Sequence, residues 1–168
     1  MIYDDLYTDE TYNLPNTFRI NKVYEWVKNY KSILDVGCGQ GNYLKHMDDK
    51  GLNVSGIELS QEACSKLKGY KVVNIDLLHY KGKYDALYCM DVLEHIEPTE
   101  IDDNLKNLAS IAPHALLGIA NHSDVCRGVE LHLIQENAEW WWELLSKYYK
   151  KVELSWIEDR FFVFECSL

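Results

Sequence analysis

The amino-acid sequence predicts a single α/β domain in which a mostly parallel, Rossmann-like sheet has helices on both faces. Short apolar runs alternate with amphipathic segments, which is typical of strands joined by right-handed helical crossovers. Three glycines at alternate positions, Gly37, Gly39 and Gly41, follow the first apolar run. The last two apolar runs are separated only by residues 158–160, which predicts a hairpin and therefore one antiparallel strand.

The predicted strands are apolar runs bounded by turn residues, and the predicted helices show apolar residues at helical spacing. The strands cover 32–37, 53–59, 71–76, 84–90, 115–120, 151–157 and 161–167. The helices cover 16–30, the segment from Gly39 to Gly51, 61–67, the segment from Pro98 to Pro113, and 137–149 with Asn137 as its N-cap. Residues 77–83 are too short for a full crossover helix, so we expect an irregular connection there.

Composition restricts the class of protein. The 168 residues predict one domain, 1–168, and the net charge of −10 argues against a long nucleic-acid partner. No run is apolar enough to cross a membrane, and the N-terminus lacks the features of a signal peptide. The five cysteines are scattered without a Cys-x-x-Cys pair, which indicates reduced thiols. We therefore expect a cytoplasmic monomer or homodimer.

The glycine-rich segment carries the most specific signal. Glycines directly after a strand allow a sharp turn and a close approach of the backbone to a ligand. Asp35-x-Gly37-x-Gly39-x-Gly41 resembles motif I of the class I S-adenosylmethionine (SAM)-dependent methyltransferases. The resemblance implies a seven-stranded sheet of order 3-2-1-4-5-7-6, with SAM as cofactor and S-adenosylhomocysteine (SAH) as product. It also implies that the loop, including Cys38, lies against the methionine part of SAM.

Two further acidic residues support a nucleoside ligand. Glu58 ends the second strand, 19 residues beyond Gly39, where its carboxylate could accept hydrogen bonds from ribose hydroxyls. Asp76 ends the third strand, where an acceptor suits the adenine amino group. The residues that follow them, Leu59 and Leu77, complete the predicted cofactor site.

Other interpretations of these acids remain open. Each could be an ordinary loop carboxylate. A dinucleotide-dependent dehydrogenase has a similar glycine turn, and Tyr24-x-x-x-Lys28 imitates a reductase pair. That pair precedes the nucleotide-binding segment, whereas a catalytic pair of this kind should follow the central strands.

The fourth strand leads into the predicted reaction site. Residues 88–96, Tyr-Cys-Met-Asp-Val-Leu-Glu-His-Ile, resemble the fourth motif of small-molecule methyltransferases, including the O-methyltransferases of ubiquinone biosynthesis. The resemblance implies that Met90 and Asp91 border the methyl donor. His95, His122 and His132 are candidate bases because imidazole titrates near neutral pH. His132 is the preferred base, and Asp91 and His95 complete the predicted catalytic set; a structural role is the alternative for each histidine.

A metal site is a less favoured alternative. Asp91, Glu94 and His95 resemble the metal-binding Glu-x-x-Glu-His of small-RNA 2′-O-methyltransferases, with Asp in place of the first Glu, and His132 could add a later ligand. A divalent ion there would lower the pKa of an acceptor hydroxyl. The interpretation without a metal is preferred.

Two segments are predicted to surround the acceptor. Residues 1–14, rich in tyrosine, resemble the N-terminal segment that often covers the cofactor in this family, although a disordered tail is the alternative. Tyr12 from this segment, and Asn121 and His122 from the 121–136 loop, are the predicted substrate contacts.

The predicted function is methyl transfer from SAM to a small molecule, most simply at oxygen. A partner subunit that binds SAM or SAH without catalysis is an alternative, and methylation of an RNA end is another. The sequence does not specify the acceptor, because fold and reaction class do not imply substrate.

Overall fold

A computed structural model describes residues 2–9 and 12–168. Seven strands form one sheet in the order β3-β2-β1-β4-β5-β9-β8, and a separate hairpin consists of β6 and β7. With that hairpin left out of the numbering, this is the predicted 3-2-1-4-5-7-6 order, so the predicted fold class is confirmed. Among the predicted N-terminal segment, residues 1, 10 and 11 lie outside the described part.

The chain divides into two compact units, which meet in sequence between Leu87 and Tyr88. In its described residues, the first unit contains three complete strands and four α-helices of at most 11 residues. These are α1 (Ile2–Leu6), α2 (Thr17–Val27), β1 (Ile33–Val36), α3 (Asn42–Asp49), β2 (Val54–Glu58), α4 (Gln61–Ser65) and β3 (Val72–Asn74). Strand β2 pairs in parallel with both β1 and β3. β1 is buried along its whole length, as its apolar run predicts.

Among the described residues, the second unit contains two α-helices, of 11 and 8 residues, and the antiparallel part of the sheet. Its elements are α5 (Ile101–Ile111), β5 (His114–Ala120), β6 (Val125–Cys126), β7 (Val129–Glu130), α6 (Ala138–Leu145), β8 (Lys151–Glu158) and β9 (Phe161–Ser167). Strand β9 runs antiparallel to both β5 and β8, which confirms the single antiparallel strand. β4 (Ala86–Met90) spans the boundary between the units and is fully buried.

Local sequence signals explain where several elements begin. Asn16, Ser60 and Asn137 are N-caps whose side chains accept a hydrogen bond from the backbone N–H three residues on. Each satisfies an amide that would otherwise lack a partner at a helix start. The predicted cap at Asn137 is therefore confirmed.

Several local predictions differ from the structure, and among them the predicted helix 16–30 ends at Val27. Residues 2–6, for which no helix was predicted, form α1, in which Leu6 packs inward to 2% exposure. The polar loop after β5 contains the β6–β7 hairpin, which turns at Arg127 and Gly128, both with positive φ. Helix α6 ends at Leu145 rather than continuing to residue 149.

No helix in residues 2–9 and 12–168 is both long enough and apolar enough to span a bilayer.

Candidate functional site

The glycine loop leaves β1 through three residues in the left-handed region. Gly37, Gly39 and Gly41 have φ values of 69°, 52° and 86°. The backbone N–H groups of Gly37 and Cys38 both donate to the carbonyl of Ile57, at 2.9 and 3.0 Å, which fixes the loop to the end of β2. Since L-residues with a Cβ rarely adopt these φ values, the alternating glycines are required by the turn itself.

Gly39 is also required by its surroundings. A Cβ on Gly39 would lie 2.6 Å from Tyr7 Oη and 2.9 Å from Asn13 Nδ2. The N-terminal segment therefore contacts the glycine loop directly. Tyr7 belongs to the tyrosine-rich segment that was predicted to cover the cofactor, but nothing in its spacing predicted this contact with Gly39.

Glu58 joins the glycine loop to the start of α4. One carboxylate oxygen accepts from Gly39 N at 2.8 Å, and the other accepts from Ser60 N at 2.8 Å. The side chain is only 7% exposed. Burial raises the pKa of Glu58, and the bonds from the Ser60 and Gly39 amides oppose that rise. The structure thus brings together Gly39 and Glu58, two residues that the sequence singled out separately.

Asp76 lies just beyond β3 and is partly exposed. Its carboxylate accepts from Leu78 N at 2.7 Å and so caps the short 3-10 turn Leu77–His79. Leu77 is buried and Leu59 is exposed. Asn74 ties this region to β2, because its amide donates to the carbonyls of Glu58 and Leu59 at 2.9 and 2.8 Å. Asn74 was missed by sequence analysis, and only its place at a strand end could have suggested it.

The remaining candidates of the first and fourth motifs lie within β1 and at the end of β4. Asp35 is buried within β1 at 3% exposure, opposite Gly56 of β2. Met90 ends β4 and is buried. Asp91 follows Met90, is exposed, and has a φ of 55°, while its N–H donates to Gly118 O at 3.0 Å. Their predicted roles toward a cofactor stay predictions.

Glu94 is a fully buried carboxyl group in the second unit. Its Oε1 accepts from Ala120 N at 2.6 Å, while Oε2 has no hydrogen-bond partner among the described residues. Burial, and secondarily the charge of Asp91, raises the pKa of Glu94 well above its usual range. The Glu94 carbonyl also accepts from Leu133 N and Ile134 N, which ties the later loop to this residue.

Three histidines lie beside one another in this unit. The ring of His132 is 4.7 Å from that of His95 and 4.8 Å from that of His122. Nδ1 of His95 contacts Leu131 O at 3.0 Å, and Nδ1 of His132 contacts His122 O at 2.7 Å. A carbonyl oxygen only accepts, so each Nδ1 carries a proton, and in the neutral ring the lone pair is then on Nε2. Burial, followed by the neighbouring His132, lowers the pKa of His95 to about 4.

Glu130 holds the segment that carries His132. Its Oε1 accepts from the backbone N–H groups of Asp124 and His132, at 2.8 and 3.0 Å, and its Oε2 accepts from the Ser123 hydroxyl. The bond from Ser123, then that from Asp124 N, lowers the pKa of Glu130 to about 2. Asp124 Oδ2 lies 3.9 Å from Nε2 of His132. An imidazolium at His132 would therefore have a carboxylate beside it.

Glu94, His95 and His132 form a candidate ligand set for a cation. One ligand atom from each lies within 4.8 Å of the others. Two of the three predicted metal ligands thus lie together with His132, while the third, Asp91, is not part of this group. Asn121 and His122 lie just before the β6–β7 hairpin, whereas Tyr12 lies in the first unit, where its ring contacts that of Tyr7 edge-on.

The sequence matches a protein family described as a methyltransferase domain, over residues 17–160. The chain belongs to this family. The match confirms the prediction, made from motif I, of a class I SAM-dependent methyltransferase.

Curated relatives of this methyltransferase domain include two ubiquinone biosynthesis O-methyltransferases. The protein of Rickettsia bellii is 29% identical over 136 residues, which cover 71% of this chain and 55% of that enzyme. The protein of Erwinia tasmaniensis is 31% identical over 97 residues, covering 46% of this chain and 40% of that enzyme. The chain thus matches about half the length of these relatives or less.

A solved structure shares the fold. The magnesium protoporphyrin IX methyltransferase of Synechocystis, crystallised with bound SAM, superimposes with a TM-score of 0.68 at 22% identity. The superposition covers 89% of this chain and 78% of that one. At this identity the similarity supports the fold, and function has to be argued from the residues.

Proposed function

We propose that this protein transfers a methyl group from SAM to a small-molecule acceptor at an oxygen atom. The observation that carries the proposal is the hydrogen bond from Gly39 N to Glu58. This bond holds the glycine loop next to the carboxylate that would bind the ribose. Asp76 and Leu77 would face the adenine. The loop of Gly37, Cys38 and Gly39 would lie against the methionine part.

In this mechanism His132 is the general base. Its Nε2 lone pair accepts the acceptor's hydroxyl proton as the oxygen attacks the methyl carbon. The bond between sulfur and the methyl carbon breaks, and its electron pair stays on sulfur, which leaves SAH. The Asp124 carboxylate, 3.9 Å from Nε2, stabilises the resulting imidazolium. The His122 carbonyl keeps the ring in the tautomer that can accept.

Binding of the cofactor is the first test. Isothermal titration calorimetry should show binding of SAM and SAH by the purified protein, and no binding of NADH. If neither sulfur ligand binds, the proposal is wrong; binding of NADH instead would support the dehydrogenase alternative.

Turnover is the second test, and it separates an enzyme from a binding subunit. Transfer of labelled methyl from SAM to a panel of phenols and catechols should be lost in His132→Gln, while SAH affinity is retained. The exposed His79→Gln serves as the matched control. If His132→Gln and Asp91→Asn both leave turnover intact, the assignment of the base is wrong. If no acceptor is methylated, the interpretation as a SAM-binding partner subunit gains support.

Oε2 of Glu94, which has no hydrogen-bond partner in the described part of the chain, favours a second candidate, metal-assisted transfer. Glu94, His95 and His132 would hold a divalent cation through one carboxylate and two neutral imidazoles, a donor set that suits transition metals. The cation would lower the pKa of the acceptor hydroxyl. Turnover that is unchanged after chelation would contradict this candidate, and turnover restored by one added metal would support it.

A further inference from the structure

Residues 2–9 and 12–13, here called the strap, are docked on the glycine loop and on α4. The strap buries Leu6 to 2% and Tyr7 to 8% exposure. Helix α1 within it packs against α4. An acidic, tyrosine-rich segment is thus ordered by contacts with the very elements to which the cofactor is assigned.

Asp4 anchors one end of the strap. Its Oδ1 accepts from the Ser60 hydroxyl at 2.8 Å and from Glu62 N at 3.2 Å. The backbone N–H of Ser60 donates to Glu58. Ser60 therefore connects the anchor to the carboxylate that is assigned to the ribose.

Polar side chains of the cofactor-binding unit hold the rest of the strap by its backbone. Lys66 Nζ donates to Tyr7 O, and Gln40 Nε2 donates to Tyr12 O at 3.1 Å. Asn42 Nδ2 donates to Asn13 O at 2.6 Å. Gln40 and Asn42 belong to the glycine loop and the first turn of α3, so the loop and the strap are fixed together.

Tyr7 presents its phenol to the glycine loop. Its oxygen lies against Gly39, and Asn13 Nδ2 approaches it at 3.5 Å as a donor, so this contact with a described residue does not use the phenol proton. Burial, and then the charge of Glu58, raises the pKa of Tyr7, which keeps the phenol protonated. A protonated phenol beside the part of the loop assigned to methionine can donate to a carboxylate.

We propose that Tyr7 donates a hydrogen bond to the amino-acid carboxylate of the cofactor, and that Asp4 is a positioning residue which docks the strap for this contact. This inference rests on the proposed function. Because docking and binding are then linked, the cofactor's apparent affinity falls with the fraction of molecules in which the strap is docked.

The test compares two ligands that differ in the group Tyr7 would contact. SAH carries the amino-acid carboxylate, whereas 5′-methylthioadenosine lacks it. Tyr7→Phe should weaken SAH binding about tenfold by calorimetry, the usual size of a lost bond to a charged group, and leave methylthioadenosine binding nearly unchanged. Thermal unfolding checks that the variant is folded.

The anchor is tested by loss and rescue. Asp4→Ala should weaken SAH binding several-fold, and Asp4→Asn should recover most of it, because the amide oxygen can still accept from Ser60 and Glu62. The neighbouring, exposed Asp5→Ala is the matched control. Hydrogen exchange of a peptide covering residues 2–13 should slow when SAH binds, and slow less in Asp4→Ala.

Each outcome is decisive. If wild type does not bind SAH, the proposed function fails and this inference fails with it. If wild type binds SAH but Tyr7→Phe has no effect, or weakens both ligands equally, only the inference is wrong. Faster exchange of residues 2–13 on SAH binding would mean that the cofactor displaces the strap, which would also overturn it.

Discussion

At the scale of single residues, Glu94 is unusual because a carboxyl group is completely buried with one oxygen lacking a hydrogen bond among the described residues. Its folded pKa lies above the unfolded value, so the folded protein binds this proton more tightly than the unfolded chain does. The associated stability is fully present below the unfolded pKa and is lost as the pH rises through the folded pKa.

Glu94→Gln should remove this pH dependence, because an amide does not ionise. Between about pH 5 and about pH 8, the free energy of unfolding should fall more in wild type than in the variant. Urea unfolding in the presence of a chelator measures the difference, with the exposed Glu97→Gln as control. A difference between wild type and Glu94→Gln that does not change with pH would contradict the assignment of a raised pKa.

Gly118 of β5 is a second residue whose identity is fixed by its neighbours. A Cβ there would lie 2.4 Å from Met90 Sδ and 2.6 Å from Phe161 Cζ. Gly118→Ala should therefore destabilise the protein by about 1–3 kcal/mol through overpacking. In a double-mutant cycle, Met90→Ala should cost less in the Gly118→Ala background than in wild type. Urea unfolding measures both costs. If the losses in free energy of unfolding from Gly118→Ala and Met90→Ala are additive, the added methyl group does not press on Met90.

At the scale of elements, the start of α6 depends on one side chain. Asn137 Oδ1 accepts from Trp140 N at 2.9 Å, and the helix that follows is only eight residues long. Asn137→Ala should lower the free energy of unfolding by about 1 kcal/mol, while Asn137→Ser, which can still accept, should cost less than half of that. Equal losses in the two variants would mean that the cap bond contributes little.

The elements also show which sequence signals were sufficient. Strands such as β1 and β4 were predictable because their apolar runs are fully buried, and α5 because its apolar stripe spans three turns. Helix α1 was not predictable, since five residues cannot show a helical period and its stability comes from packing on α4. The β6–β7 hairpin has two residues in each strand, which is too short for an alternation to be recognised.

Individual residues of the candidate site were predictable from the sequence, whereas the contacts between them were not. Gly39 and Glu58 were each marked by position relative to a strand. Folding alone brings together the residues of three contacts. These are the bond between Gly39 and Glu58, the bond from His132 N to Glu130, and the contact of Tyr7 with the glycine loop. No spacing rule in one sequence contains that information.

At the scale of the whole molecule, the net charge of −10 argues against a nucleic-acid acceptor. Binding to nucleic acid depends on basic groups that displace counterions from phosphates. We expect no binding of a 20-nucleotide RNA by fluorescence anisotropy, even at about 50 mM salt where such binding is strongest. Labelled methyl transfer to the RNA's 3′ end would contradict the small-molecule assignment and support the alternative of RNA-end methylation.

The positions of the tryptophans affect how these experiments can be followed. All five lie outside the strap and the glycine loop: Trp26, Trp140, Trp141, Trp142 and Trp156. Trp142 is 47% exposed, and its indole N–H donates to Val152 O of β8. Its emission will therefore report on the junction of α6 and β8, and intrinsic fluorescence will be a poor monitor of strap docking. A tryptophan placed at the exposed Leu14 would give that movement an optical signal of its own.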